Sequence, residues 1–151
     1  MKEAEVVPVF NEFARQLDAY KAGTGRDTRL KARALGLLKT GRKAFERSSH
    51  PAHFTGSCFI VDPREGKTLL VHHRKLERWL QPGGHCDGVP DPFVVAWIEA
   101  YEETGLDEVI PWLPHSILDF DVLEVPAHLD VPAHLHYDVR YLFTADSFAP
   151  L

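Results

Sequence analysis

The chain has 151 residues, of which 44% are hydrophobic and 26% are charged, with a net charge of −5. This composition is typical of one folded globular domain and excludes a disordered or fibrous protein. Its two cysteines, Cys58 and Cys86, form no Cys-x-x-Cys pair, which excludes a disulfide scaffold and a cysteine-rich zinc module. No apolar run approaches the ~18 residues of a membrane span, and the first residues carry acids without the apolar region of a signal peptide. We therefore expect a cytoplasmic protein that does not bind membranes.

Two amphipathic helices are predicted in the first fifty residues. The first ends near Gly23, and its apolar stripe comprises Phe10, Phe13, Ala14 and Leu17. The second ends at Gly41, and its stripe comprises Leu30, Ala34, Leu37 and Leu38. Ala44 and Phe45 begin a short third helix. We treat residues 1–50 as an N-terminal helical extension and residues 51–151 as the main domain.

The charge is divided unevenly between these two parts. Residues 1–50 hold 11 Lys and Arg against 6 Asp and Glu, a balance of +5, whereas residues 51–151 hold 6 against 16, a balance of −10. Such an asymmetry occurs in nucleic-acid-binding arms, and also where a basic segment docks on or balances an acidic body. No aromatic residue interleaves the basic run from Arg26 to Lys43. We therefore favour the second interpretation over nucleic-acid binding through Arg26–Arg47.

Beyond residue 51, strands alternate with one helix. Strands are predicted over Phe54–Val61, Thr68–His73, Trp79–Gln81, Ile117–Val125 and His134–Thr144. The helix spans Pro92–Thr104, because Asp91 is a good N-cap, proline suits the first helical position and Gly105 suits the C-cap. A near-repeat of Val-Pro-Ala-His-Leu before the last strand predicts a loop. The fold class is α+β with a mixed sheet.

Three glutamates on the predicted helix carry the most specific chemical signal. Glu99, Glu102 and Glu103 are spaced i, i+3 and i+4, which places them on one face, and the helix contains no basic residue. Clustered carboxylates on a mostly apolar helix need a counter-charge, and oxygen ligands suit Mg²⁺ or Mn²⁺. Gly83 and Gly84 let the backbone approach closely, so that Gly84 could present a carbonyl to the same ion.

The segment GGHCDGVPDPFVVAWIEAYEETGL resembles the Nudix box, in which Gly84 is the leading glycine and residues 99–106 match throughout. The strands on either side fit the α/β/α sandwich of that family, over roughly residues 54–146. Two positions depart from the pattern, because Pro90 replaces the first glutamate of the box and Ile98 replaces its arginine. The family commonly continues with a further strand and a closing helix. We therefore expect the N-terminal helices or a second copy in a homodimer to cover one face.

The resemblance implies hydrolysis of a diphosphate linked to another moiety, often a nucleoside. Glu99, Glu102 and Glu103 would bind the metal, and one of them would assist the attacking water. Arg74, Lys75 and Arg78 lie before the glycine pair and are candidate phosphate contacts. Trp79 could stack on a base, although a tryptophan at that strand position is more often part of the core.

Two alternatives remain at this stage. The departures at Pro90 and Ile98 predict an enzyme of low efficiency, or a non-catalytic module that binds a nucleotide or a protein partner. His134 and His136 fall on one face of a strand, a spacing that permits metal binding. With 9 histidines in the chain, chance pairs are expected, and we favour structural or surface roles for these two.

Overall fold

Helices make up the N-terminal part of the chain, as predicted. The computed structural model describes residues 7–151, with side chains from residue 11 onward, so the side chain of Phe10 lies outside the described residues. Helix α1 spans Val7–Ala19, α2 spans Gly25–Leu38, and a 3-10 helix spans Gly41–Phe45. The Thr24 hydroxyl accepts a hydrogen bond from the Asp27 amide at 3.1 Å and caps α2.

A mixed sheet forms the centre of the molecule and confirms the predicted α+β class. Its strands are β1 (Ala52–Asp62), β2 (Lys67–Leu69), β5 (Gly83–His85), β6 (Ile110–Pro111), β7 (Asp119–Val125) and β8 (His134–Thr144). β1 and β8 run parallel along their whole length, and the other pairings are antiparallel. On the edge of β1 opposite β8, β5 and β2 pair with successive parts of the strand. β7 and β6 pair with β8. β1 therefore lies between β5 and β8, where residues from three strands meet.

The second predicted strand divides into two. The run Thr68–His73 gives β2 and a separate strand, β3 (Val71–His73), with Leu70 unpaired between them. β3 pairs with β4 (Arg78–Leu80) in a two-stranded hairpin outside the main sheet. The chain pairs with β1 before Leu70 and with β4 after it. Because the apolar pattern continues through Leu70, the sequence does not indicate this change of pairing.

The described ring contacts between helices and sheet fall on one sheet face. Phe13 of α1 and Phe45 of the 3-10 helix both contact Phe54 of β1, with ring centroids 5.0 and 5.3 Å apart. Phe93 of α3 (Pro92–Thr104) packs against Tyr141 of β8 at 5.3 Å. The N-terminal helices and the strands thus share one hydrophobic core.

Ion pairs connect the basic N-terminal part to the acidic body. Arg26 of α2 pairs with Asp121 of β7, and Arg47 pairs with Asp87 in the loop after β5. These contacts confirm that the basic segment docks on the acidic part of the chain. Among residues 7–151, no helix has both the length and the apolar character needed to cross a bilayer. The cytoplasmic location stays a prediction.

Candidate functional site

Helix α3 has the bounds that its capping residues predict. The Asp91 carboxylate accepts a hydrogen bond from the Phe93 amide at 3.0 Å, and Gly105 ends the helix with a left-handed φ of 72°. Asp91 is buried and serves as the cap, so it does not replace the missing glutamate of the box. These local signals fix where the three glutamates lie along the helix.

Two of the glutamates contact the glycine pair, which forms a strand, β5. A Cβ atom on Gly84 would lie 2.2 Å from Oε1 of Glu99, so the glutamate occupies the space that any other residue would need. The Gly83 amide donates a hydrogen bond to Oε2 of Glu103 at 2.9 Å. Glu102 lies one turn along the helix and is exposed to solvent. The structure thus brings Glu99 and Glu103 to the glycines.

The neighbouring carboxylates make Glu99 harder to ionise. Burial raises the pKa of Glu99, and the neighbouring charges of Glu103 and Glu102 raise it further. A smaller contribution from Asp87 acts in the same direction, and the positive charge of Arg47 opposes it. A cation placed among these carboxylates would relieve the repulsion.

Arg47 is a functional candidate that the sequence analysis missed. Its guanidinium Nε lies 2.6 Å from Oδ1 of Asp87, and Nη2 contacts Oδ2, so the pair is bidentate. Asp87 adopts a positive φ of 48°, in the loop between Gly84 and α3. The box places its arginine at Ile98, whereas here an arginine from the N-terminal segment brings positive charge near Glu99. The basic excess of residues 1–50 was the only sequence signal for it.

The predicted phosphate contacts separate into two groups. Arg74 lines a cavity of about 260 Å³ that also borders Glu103 and Gly83. Lys75 and Arg78 lie on the exposed β3–β4 hairpin and do not line this cavity. The interpretation of Trp79 as a core residue is wrong, because Trp79 is 66% exposed, with its ring 5.0 Å from that of His72.

Although most of its residues are apolar, α3 has an exposed face. Ile98 is 47% exposed. The indole of Trp97 and the hydroxyl of Tyr101 both donate to the carbonyl of Val109, at 3.2 and 3.3 Å, and both side chains stay partly exposed. A polar residue at position 98 would therefore remain in contact with water.

No protein-family model and no curated protein matches this chain. Among solved structures, the chain is similar to a protein described as a hydrolase of the NUDIX family from Clostridium perfringens, with 26% sequence identity. The match covers 65% of this chain and 73% of that one, with a TM-score of 0.46.

Proposed function

We propose that this chain is a Nudix-type hydrolase that cleaves a diphosphate linked to another moiety, with low efficiency and with Mg²⁺ or Mn²⁺ as its cofactor. The observation that carries this proposal is the contact between the glutamates of α3 and the glycine pair of β5. Glu99 fills the space beside Gly84, and Glu103 accepts the Gly83 amide. The helix supplies no cation of its own to balance these carboxylates, and Glu103 borders a cavity.

The donor set of the site fits a hard divalent cation. Glu99, Glu102 and Glu103 supply only oxygen, which Mg²⁺ and Mn²⁺ prefer over sulfur or nitrogen. Because Gly84 has no side chain, the Glu99 carboxylate lies directly beside the backbone there. These four residues would hold the ion, with Gly84 contributing its carbonyl.

The residues around the glutamates would bind and orient the substrate. A bound divalent ion neutralises phosphate oxygens and lowers the pKa of an attacking water. Arg74, on the wall of the cavity next to Glu103, would pair with a phosphate oxygen of the diphosphate. One of the three glutamates would take the proton of the water. The bidentate contact with Arg47 fixes the carboxylate of Asp87, whose charge acts on Glu99.

The departures from the box account for the low efficiency. Ile98 supplies no positive charge next to Glu99, and Pro90 supplies no carboxylate. Loss of residues that support metal ligands typically costs about 10–100-fold in metal affinity or activity. Arg47 offsets part of this loss, because its charge lowers the pKa of Glu99.

The same departures favour a second candidate, a non-catalytic module that binds a nucleotide or a protein partner. In that case the fold and the glycine contacts persist while turnover does not. The two candidates differ in one measurable quantity, which is metal-dependent product release.

A panel of nucleoside diphosphate derivatives, assayed with Mg²⁺ and with Mn²⁺ for phosphate release after phosphatase treatment, tests the proposal. We expect slow turnover that falls by orders of magnitude in Glu102→Gln and in Glu103→Gln. Glu124→Gln is the matched control, because Glu124 is an exposed glutamate on β7. Turnover that is equal in the wild type and both site variants contradicts this site, and a folded, inactive wild type favours the binding module.

A further inference from the structure

A cluster of histidines lies where β1, β5 and β8 meet. His53, His85 and His136 come from these three strands, and one potential ligand atom from each lies within 4.8 Å of the others. His53 and His136 are direct neighbours in the parallel register of β1 and β8. His85 pairs with Thr55, two residues along β1 from His53. We refer to these three residues as the histidine trio.

The trio lies on the other face of β5 from the glutamates. The Cβ direction of Gly84 points at Glu99, and neighbouring residues in a strand point to opposite faces. His85 therefore points away from Glu99, onto the sheet face that carries His53. The trio and the glutamate cluster are two separate sites on the two faces of one strand.

His53 is the residue that the fold leaves unsatisfied. Its side chain is 1% exposed. Nδ1 lies 3.1 Å from the carbonyl oxygen of Ser49, which can only accept, so Nδ1 carries the proton. Nε2 then carries only a lone pair. Among the buried side-chain nitrogen and oxygen atoms of the described residues, it is the one that has no hydrogen-bond partner. Buried polar atoms are rarely left unpaired, and such an atom calls for an explanation.

This arrangement is the one that metal-bound histidines adopt. A ligating imidazole usually donates its other N–H to a carbonyl or carboxylate, which fixes its orientation and raises its basicity. His53 has this contact with Ser49. His134, next to the trio, has the same contact with the carbonyl of Pro132 at 2.8 Å, and its Nε2 lies 3.1 Å from Nε2 of His136.

We propose that His53, His85 and His136 bind a zinc ion in a second metal site, independent of the glutamate cluster. Imidazole nitrogen is a good ligand for zinc and a poor one for magnesium, so the two sites would take different ions. In a tetrahedral site with Zn–N distances of about 2.0–2.1 Å, ligand nitrogens are about 3.3 Å apart. The ligand atoms of the trio lie within 4.8 Å of one another, so the imidazoles would draw closer around the ion and leave the fourth position for water.

The surroundings of the trio keep its imidazoles neutral, which is the form that binds a metal. Burial lowers the pKa of His53 and of His85. Burial, together with the neighbouring imidazoles, lowers the pKa of His136 to about 3.

The test is metal titration of the full chain without a histidine tag, after removal of metals with EDTA. Zn²⁺ binding is followed by calorimetry, and Co²⁺ binding by the visible absorption of tetrahedral cobalt. Both are measured in excess Mg²⁺, so that the glutamate cluster is occupied. We expect an equimolar amount of zinc to bind. Loss of a residue that only supports a metal ligand typically weakens metal affinity by roughly 10–100-fold. We expect His85→Asn and His136→Asn, which remove ligands, to weaken zinc affinity by more than this.

Two control variants separate this site from the rest of the molecule. His128→Asn removes an exposed histidine from the loop before β8 and should leave zinc affinity unchanged. Glu103→Gln removes a glutamate of the other site and should also leave it unchanged, so that failure of the proposed hydrolase does not affect the result. Circular dichroism checks that each variant folds.

Absence of zinc binding by the wild type at micromolar concentration overturns the proposal. Zinc binding that is equally tight in His85→Asn also overturns it, because the ion then lies elsewhere. His85 and His136 are both only half-buried, so either of the two variants that folds decides the question.

Discussion

At the scale of single residues, the glutamate site depends on the absence of a side chain at Gly84. The Glu99 carboxylate occupies the position of the missing Gly84 side chain, and the Gly83 amide is free to donate to Glu103. Arg47 and Asp87 flank these contacts with a bidentate ion pair. Small changes here act on the geometry of the carboxylates and little on the core.

Gly84→Ala should displace Glu99 and leave the fold intact. The new Cβ would lie 2.2 Å from Oε1, and the end of a flexible side chain moves more easily than backbone. We expect metal-dependent turnover to fall by roughly 10–100-fold, the size of a lost supporting contact. Gly36→Ala in α2 is the control, because a Cβ there meets nothing within 4 Å. Turnover in Gly84→Ala equal to that of the control would contradict this role of the glycine.

Repair of the box should raise activity. Ile98→Arg places a cation four residues before Glu102, on the same side of α3, and Pro90→Glu restores the upstream acid. Because Ile98 is 47% exposed, the guanidinium stays in water and costs little stability. We expect the double variant to gain about 10–100-fold in turnover or in metal affinity.

Val94→Arg, one turn earlier on the same helix, is the matched control for this repair because Val94 is also partly exposed. A double variant that folds, by circular dichroism, and is inactive across the substrate panel with both metals contradicts the hydrolase. That result would favour the binding module.

At the scale of secondary structure, α3 is the element that holds the site together. Its N-cap, Asp91, accepts from the Phe93 amide and from Nε2 of Gln16 in α1, so that one carboxylate connects two helices. Gln16 also accepts from the Tyr141 hydroxyl at 2.7 Å. This chain of buried hydrogen bonds joins α1, α3 and β8.

Asp91→Ala should therefore lower the free energy of unfolding. Loss of an N-cap costs about 0.5–2 kcal/mol, and the buried amide of Gln16 loses an acceptor as well. Urea denaturation measures the difference. Asp91→Asn keeps the oxygen that accepts both bonds and should lose less. Equal midpoints for the alanine variant and the wild type would show that the cap contributes nothing.

At the scale of the whole molecule, the N-terminal helices and the sheet form one packed body. Phe13 and Phe45 contact Phe54 of the central strand, and α1 and the 3-10 helix thereby cover the apolar face of β1. Large apolar side chains remain exposed at the sheet edge near β6, namely Ile110, Trp112 and Leu113. Exposed apolar surface of this kind often marks a contact with another chain.

The homodimer stays a prediction, and this edge is where we expect its contact. Sedimentation velocity at micromolar concentration should give a dimer, and the double change Trp112→Ser and Leu113→Ser should shift it to monomer. Val89→Ser, at an exposed apolar position in the loop before α3, serves as the control. A wild type that sediments as a monomer would mean that the N-terminal helices already provide the cover that the fold needs.

The sequence by itself determined the features that depend on neighbouring residues. The bounds of α3 follow from Asp91, Pro92 and Gly105, because caps act over a few bonds. β8 likewise has its predicted bounds, and the spacing of the three glutamates on α3 needs only the helical period. The α+β class follows from the same local patterns.

Only the tertiary structure decided which distant residues meet. β5 is rich in glycine, so its strand character depends on pairing with β1 and on close packing under α3 rather than on propensity. The partner of Asp87 is Arg47, 40 residues away, and local periodicity carries no information about such a pair. The sequence left structural and surface roles open for His134 and His136 for the same reason. Strand register buries His134 and brings His136 beside His53 and His85, since pairing across β1, β5 and β8 sets those neighbours.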